Sequence, residues 1–196
     1  MTRTVVRSDE RMFICGKTGS GKTYLARLLT GSVSRLVVID PKSTLSSWGL
    51  DEYSASRLGS ETFRLRFRAP LSDKPADEYE QVFADCYERG NVVVYIDELY
   101  GVLSGNRAGT WLTALYTRGR ELGIGVWAAT QRPVWVPLIA LSEADWFVVF
   151  RLQLTEDRQR LASVIGPEAL TQPSDPHGFW LFHTSWDFPR YYQKVR

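Results

Sequence analysis

Cysteine is scarce: the 196 residues carry only Cys15 and Cys86. The two have neither metal-ligand spacing nor a framework pattern, which excludes a zinc-knit or disulfide-knit scaffold. Cys15 falls in an apolar run and is expected as a buried thiol, in keeping with a reducing compartment. A strong charge bias is missing too. The net charge is only +2, so no global basic character marks a nucleic-acid binder. Basic groups gathered on one inner face of a ring would not show in that total. No apolar run approaches the ~20 residues of a membrane-crossing helix, and "MTRTVVRSDE" at the start lacks the apolar core of a secretory leader. Repeats and low-complexity stretches are absent as well. These absences predict a soluble, cytoplasmic protein that is not secreted.

What is present suits one globular domain. Hydrophobic residues make up 44% and charged residues 23% of the chain, and 13% aromatics with seven Trp supply bulky core material. The length predicts a single domain over 1–196, with an N-terminal arm over 1–9 and an aromatic-rich extension over 167–196. Strand-like and helix-like patterns alternate along it. The apolar run 11–15 is followed by helical spacing at 22–30 and a second strand at 35–40. A polar stretch over 41–60 precedes "ETFRLRFRAP". There Phe63, Leu65 and Phe67 alternate with Arg64, Arg66 and Arg68, the period of a half-buried strand. The arginine stripe is expected as the wet face of an edge strand rather than as a DNA track. A helix over 75–89, strands at 91–97, 123–130 and 145–152, helices at 108–122 and 155–165, and a C-terminal strand pair at 178–182 and 190–195 complete the pattern. The expected fold is α/β: a mainly parallel sheet flanked by helices, with ligand sites at the strand ends and a C-terminal β-hairpin.

The motif "GKTGSGKT" spans Gly16, Lys17, Thr18, Gly19, Ser20, Gly21, Lys22 and Thr23. It stands between a strand and a helix, which is the context a phosphate loop requires. Backbone N–H groups of such a loop curl around phosphate oxygens, and the helix N-terminus adds its dipole. Lys22 would reach the β- and γ-phosphates of ATP, and the Thr23 hydroxyl would hold Mg²⁺. The apolar strand "VVVYIDE" delivers Asp97 and Glu98 to the same sheet edge. Asp97 is a candidate ligand of the Mg²⁺, and Glu98 a candidate base for the attacking water. Two carboxylates beside a triphosphate would repel it unless the metal and Lys22 offset their charge. Further on, "AATQRP" offers Gln131 either as a sensor of the γ-phosphate or as a plain loop cap. "TRGRELG" offers Arg118 and Arg120, which a regular helix would point about 200° apart, so spacing alone does not choose between them.

The succession "GKTGSGKT", "VVIDPKS", "VVVYIDE", "GRELGIGVWAATQRP" and "FRLQLTEDRQRLASVIG" resembles the FtsK–HerA superfamily of RecA-like motors over roughly residues 10–166. In consisting of little but the motor, the chain looks like the small genome-packaging ATPases of membrane-containing icosahedral viruses. The resemblance implies a RecA-like P-loop core and a homo-oligomeric, hexameric ring around double-stranded DNA, although five subunits would also close a ring. It also implies capsid-vertex or viral-membrane partners and presence in the virion. It implies that Arg120 acts across the subunit boundary and that Gln131 is a sensor. Where the superfamily usually has Gly after the D-P-K motif of Asp40, Pro41 and Lys42, this chain has Ser43. Candidate DNA contacts are Lys42 and Arg107, the latter in the glycine-flanked loop "YGVLSGNRAG". The C-terminal aromatics are expected to pack a hairpin. Rival readings are a cellular translocase or helicase, an assembly or secretion ATPase that does not act on DNA, and, more remotely, a small-molecule kinase.

Overall fold

The structure, a computed structural model, describes residues 5–70 and 74–194. Among the described residues nine strands form one sheet: β1 (Arg11–Cys15), β2 (Arg35–Ile39), β3 (Asp51–Glu52), β4 (Phe63–Phe67), β5 (Val93–Ile96), β6 (Gly125–Thr130), β7 (Trp146–Phe150), β8 (Phe179–His183) and β9 (Arg190–Tyr192). Their order is β3-β4-β2-β5-β6-β1-β7-β8-β9. Pairing is parallel from β3 to β7 and antiparallel only where β8 joins β7 and β9 joins β8. The helices are α1 (Lys22–Thr30), α2 (Pro75–Arg89), α3 (Thr110–Arg118), the short α4 (Ile139–Ser142) and α5 (Thr155–Ile165).

Both faces of the sheet are covered, which is why its central strands read as unbroken apolar runs. Alternate residues feed opposite cores. Phe13, Val94, Ile96, Val126 and Ala128 pack with Val82, Phe83 and Cys86 of α2, Leu112 and Leu115 of α3, and Leu161 of α5. Met12, Ile14, Val93, Tyr95, Trp127 and Ala129 pack on the other face with Leu25 and Ala26 of α1 and with Phe179. Each large apolar side chain buried this way contributes about 1.5–3 kcal/mol.

Three local expectations change. The helix expected over 108–122 stops at Arg118 and continues as a 3₁₀ turn, Gly119–Leu122. A side chain at Gly119 would sit 3.2 Å from Cβ of Ile124, and Gly123 ends the turn at φ +68°. The backbone thus folds back into β6 through a tight approach at Gly119 and a left-handed residue at Gly123, which favours glycine. Second, β4 is not the edge, because β3 lies outside it. Its arginines are largely engaged: Arg64 donates to the carbonyls of Thr30 and Val33 at 2.7 and 2.5 Å, and Arg66 pairs with Glu52 at 2.5 Å. Only Arg68 of the stripe is exposed. Third, the second arm of the C-terminal hairpin covers Arg190–Tyr192 rather than 190–195, whose last residue lies outside the described residues. The first four residues of the expected N-terminal arm also lie outside them. Among the described residues no helix is long and apolar enough to cross a membrane.

Candidate active site

Nine polar or charged residues are buried among those described, and six of them converge at the carboxyl ends of the parallel strands: Ser20, Lys22, Asp40, Asp97, Glu98 and Thr130. Burying charge without partners is costly, so such a gathering needs either internal pairing or a ligand. The loop Gly16–Gly21 leaves β1 and turns into α1, with Gly16, Gly19 and Gly21 at φ +156°, +75° and +111°. At Gly16 a Cβ would lie 2.6 Å from Phe150 Cβ and 2.7 Å from Ser20 Oγ. The loop therefore packs closely on the strand end, where the Gly16 and Lys17 amides donate to the carbonyls of Thr130 and Arg151 at 3.3 and 2.7 Å. Ser20 Oγ is buried with no hydrogen-bond partner. Lys22 Nζ folds back onto the loop, donating to Gly16 O at 2.6 Å and Lys17 O at 3.0 Å. Burial lowers its pKa, and the Glu98 charge opposes that shift.

Asp97 and Glu98 directly follow β5, next but one to β1. Thr23 Oγ1 lies 3.4 Å from Asp97 Oδ1, so helix start and strand end meet across the site. Burial, and then the neighbouring charge of Asp40, raises the Asp97 pKa, while a 2.8 Å hydrogen bond from Tyr95 Oη works the other way. The strand between, β6, supplies Thr130, whose Oγ1 donates to Glu98 Oε1 at 2.7 Å. The Gln131 amide donates to the same oxygen at 3.3 Å. On the other carboxylate oxygen, Lys42 Nζ donates at 2.7 Å. Gln131 Oε1 accepts from Thr18 Oγ1 at 3.0 Å, bridging β6 to the phosphate loop. The arrangement thus brings together Gly16–Thr23, Asp97, Glu98 and Gln131.

Lys42, a candidate DNA contact, pairs with Glu98 while its side chain stays 42% exposed. Its loop turns through Ser43 at φ +59°, the left-handed conformation a glycine would enter freely. Asp40 holds that turn, accepting the amides of Thr44 and Leu45, both at 3.0 Å. Arg107 is exposed on the loop after β5, beside Gly105 at φ +65°. Arg118 is exposed at the end of α3. Arg120 lies before β6, at the amino-terminal edge of the sheet, 2.5 Å from both carboxylate oxygens of Asp145. It belongs to no part of the site formed by its own chain. Tyr95 and Lys42 are the residues of the site whose contacts sequence reasoning missed. Tyr95 had one signal, its place two residues before Asp97 on the same side of a strand.

The donor set fits a magnesium–nucleotide complex. Ser20 Oγ is without a partner, Lys22 can exchange its two loop carbonyls for an anion, and Thr23 with Asp97 offers two hard oxygens of the kind Mg²⁺ shares with phosphate and water. Among the described residues no cluster of three or more His, Cys, Asp or Glu would hold a metal unaided.

A glycine loop between strand and helix, facing two carboxylates that end the strand next but one, defines a P-loop nucleoside triphosphatase. The chain is 30% identical over 178 residues to the DNA packaging ATPase P9 of Enterobacteria phage PRD1, covering 84% of this chain and 74% of that protein. It belongs to the family of DNA-packaging ATPases that P9 represents. No protein-family model matches it. The genome packaging NTPase B204 of Sulfolobus turreted icosahedral virus 2, solved with AMPPCP, matches with a TM-score of 0.78 at 20% identity, covering 97% of this chain and 100% of that one. The conjugation coupling protein TcpA of pCW3 matches at 0.62 with 13% identity, covering 95% of this chain and 60% of that one. At those identities the structural likeness speaks to the fold.

Proposed function

We propose that the chain is an ATP-hydrolysing motor that drives double-stranded DNA into a preformed viral capsid, as a ring of identical subunits. Six subunits are favoured, and five would also close. The observation that carries this reading is the meeting of the Gly16–Thr23 cradle with Asp97 and Glu98, in a chain of a DNA-packaging family. Lys22 swings from the loop carbonyls to the β- and γ-phosphates, and the loop amides hold the remaining oxygens. Mg²⁺, held by Thr23 and Asp97, supplies positive charge against the phosphate oxygens when bound. Glu98 orients the water and takes its proton through Oε2, the oxygen that Lys42 also holds. Gln131, tethered to Thr18, follows the presence of the γ-phosphate.

Arg120 completes the site from the adjoining subunit, so hydrolysis depends on assembly. Loops around the pore then shift with nucleotide state, and Arg107 contacts the DNA backbone. The position of Lys42 supports a role at Glu98 in place of one on DNA. The motor works in the host cytoplasm and at the capsid vertex, docked on capsid or viral membrane proteins.

ATP turnover by the purified chain with and without duplex DNA tests the reading. Duplex should stimulate turnover, and the stimulation should fall steeply as salt is raised. No stimulation together with no salt-sensitive DNA binding would instead mark an ATPase that moves protein or gates assembly. Strand separation of the duplex would mark a helicase.

A further inference from the structure

The turn that carries Arg120 is closed at both ends. Gly119 O accepts the Ile124 amide at 2.8 Å, and Arg120 O accepts the Gly123 amide at 3.0 Å. The half-exposed side chain of Arg120 reaches Asp145, which directly precedes β7. Asp145 is tied down on every side. Its amide donates to Arg11 O and its carbonyl accepts the Thr184 amide, both at 3.0 Å. Its Oδ2 accepts the Arg11 amide at 2.8 Å. The starts of β1 and β7 and the end of β8 thus meet at this residue, and its carboxylate is held in one orientation.

The contact with Arg120 is not the two-pronged pairing that guanidinium and carboxylate form at their strongest. Nη2 alone lies 2.5 Å from both oxygens. Among the described residues Nε and Nη1 make no hydrogen bond, so those donors of the fork are left for an acceptor beyond the chain. A second guanidinium stands close by. Arg11 is buried, and its Nε donates to Tyr116 O at 3.1 Å. Burial, and then the charge of Arg120, lowers the Arg11 pKa. The two cations repel, and both line a cavity of about 380 Å³ with Glu121, Glu143 and Asp145. Arg11 thus keeps Arg120 from sinking toward the sheet, while Asp145 keeps it from swinging free.

We propose that Asp145 is a positioning residue for hydrolysis in the neighbouring subunit, holding one corner of the Arg120 guanidinium so that Nε and Nη1 are presented to the triphosphate bound there. The proposal rests on the reading of Arg120 as the arginine that completes an adjoining site. A long side chain held at one corner loses less freedom on meeting a phosphate than one that swings freely. Asp145 itself touches no nucleotide.

The test measures kcat and KM for Mg–ATP by phosphate release in assembled rings of the wild type, Asp145→Asn and Arg120→Ala. Asparagine keeps an oxygen for the Arg11 amide, so the strand junction persists, but it loses the charge that holds Arg120. Asp145→Asn should lower kcat by about 10–100-fold, the cost of a misplaced catalytic group, and leave KM within about twofold of wild type. Rings are then mixed from Asp145→Asn and Glu98→Gln subunits. A Glu98→Gln subunit lends a correctly held Arg120 to an Asp145→Asn neighbour whose own Glu98 is intact. Turnover of the mixture should rise several-fold above the average of its two components. Damage confined to the Asp145→Asn chain, in its folding or its own site, would not be repaired by a neighbour. A mixture that stays at the average would therefore overturn the proposal, as would full activity of Asp145→Asn beside a crippled Arg120→Ala. Failure of Asp145→Asn to form rings, checked by size, would overturn it too, by making Asp145 an assembly residue. Full activity of Arg120→Ala is a separate result: the reading of Arg120 then falls, and the proposal with it.

Discussion

The two edges of the parallel sheet carry charge in opposite ways. At the carboxyl edge, Asp40, Asp97 and Glu98 are buried beside one another, with Lys22 turned onto its own loop and Lys42 onto Glu98. At the amino edge, Arg120 rests on Asp145, whose Oδ2 also accepts the Arg11 amide at 2.8 Å. The first edge is arranged around a ligand; the second is satisfied as it stands. The strands between them are five or six residues long, which at about 3.3 Å per residue sets the edges roughly 17–20 Å apart. An arginine side chain cannot cover that distance. If Arg120 serves a triphosphate at all, it serves one bound by another copy of the chain.

The sharpest way to break this comparison is Arg120→Ala. Loss of a charge-stabilising arginine from phosphoryl transfer costs about 10³–10⁵ in turnover. The expected result is a kcat reduced by that order in the assembled ring, with little change in KM for ATP, measured by phosphate release. Full activity would leave Arg120 as a plain partner of Asp145 and remove the need for a second subunit.

Glu98→Gln should have the next largest effect, a loss of about 10²–10⁴ in kcat with ATP binding retained, since the amide keeps the shape but takes no proton. The two variants together test the geometry more closely than either alone. A ring mixed from Arg120→Ala and Glu98→Gln subunits contains some junctions in which an intact Glu98 faces an intact Arg120. Activity should reappear on mixing two nearly inactive proteins. Silence from the mixture, with ring formation verified by size, would mean that both residues act within one chain, against the separation of the two edges.

What could be foreseen from the sequence divides along similar lines. The phosphate loop was legible because its function is local: eight consecutive residues hold the geometry, with the strand and helix on either side. Asp97 and Glu98 were legible because an apolar run of strand length must end at a sheet edge. The contacts of Lys42 were not, because they depend on how the chain turns through Ser43 under the hold of the Asp40 carboxylate. Nor was the break after Arg118, which follows from the approach of Gly119 to Ile124, a contact that helical spacing does not reveal. Arg64 looked solvated because strand alternation shows only which way a residue faces. Thr30 at the end of α1 and Val33 just beyond it, whose carbonyls it caps, are tertiary neighbours. The junction at Asp145 draws on residues 11, 120, 145 and 184, and no window along the chain contains them all.

The smallest effect concerns stability, where the two edges should respond with opposite sign. Burial holds the Asp97 pKa above its ordinary value of 3.8. Between 3.8 and the raised value the folded chain binds more protons than the unfolded one, so stability falls as pH rises through that window and stays reduced above it. Asparagine at 97 carries no charge at any pH and can still accept from Tyr95. Without nucleotide, Asp97→Asn should therefore melt higher than the wild type at pH 7, by about 2–4 °C for each kcal/mol relieved. The gap should close as pH is lowered toward 3.8. Mg–ATP should then raise the wild-type Tm more than the variant's, because binding adds stability that grows with the logarithm of affinity. Asp145→Asn, on the satisfied edge, should instead lower Tm slightly, since a partly exposed ion pair contributes about 0–1 kcal/mol. If thermal melts at pH 7 show Asp97→Asn destabilised like Asp145→Asn, the carboxyl edge is balanced by its own hydrogen bonds and is not waiting for a metal. The contrast between the edges would then be one of position only.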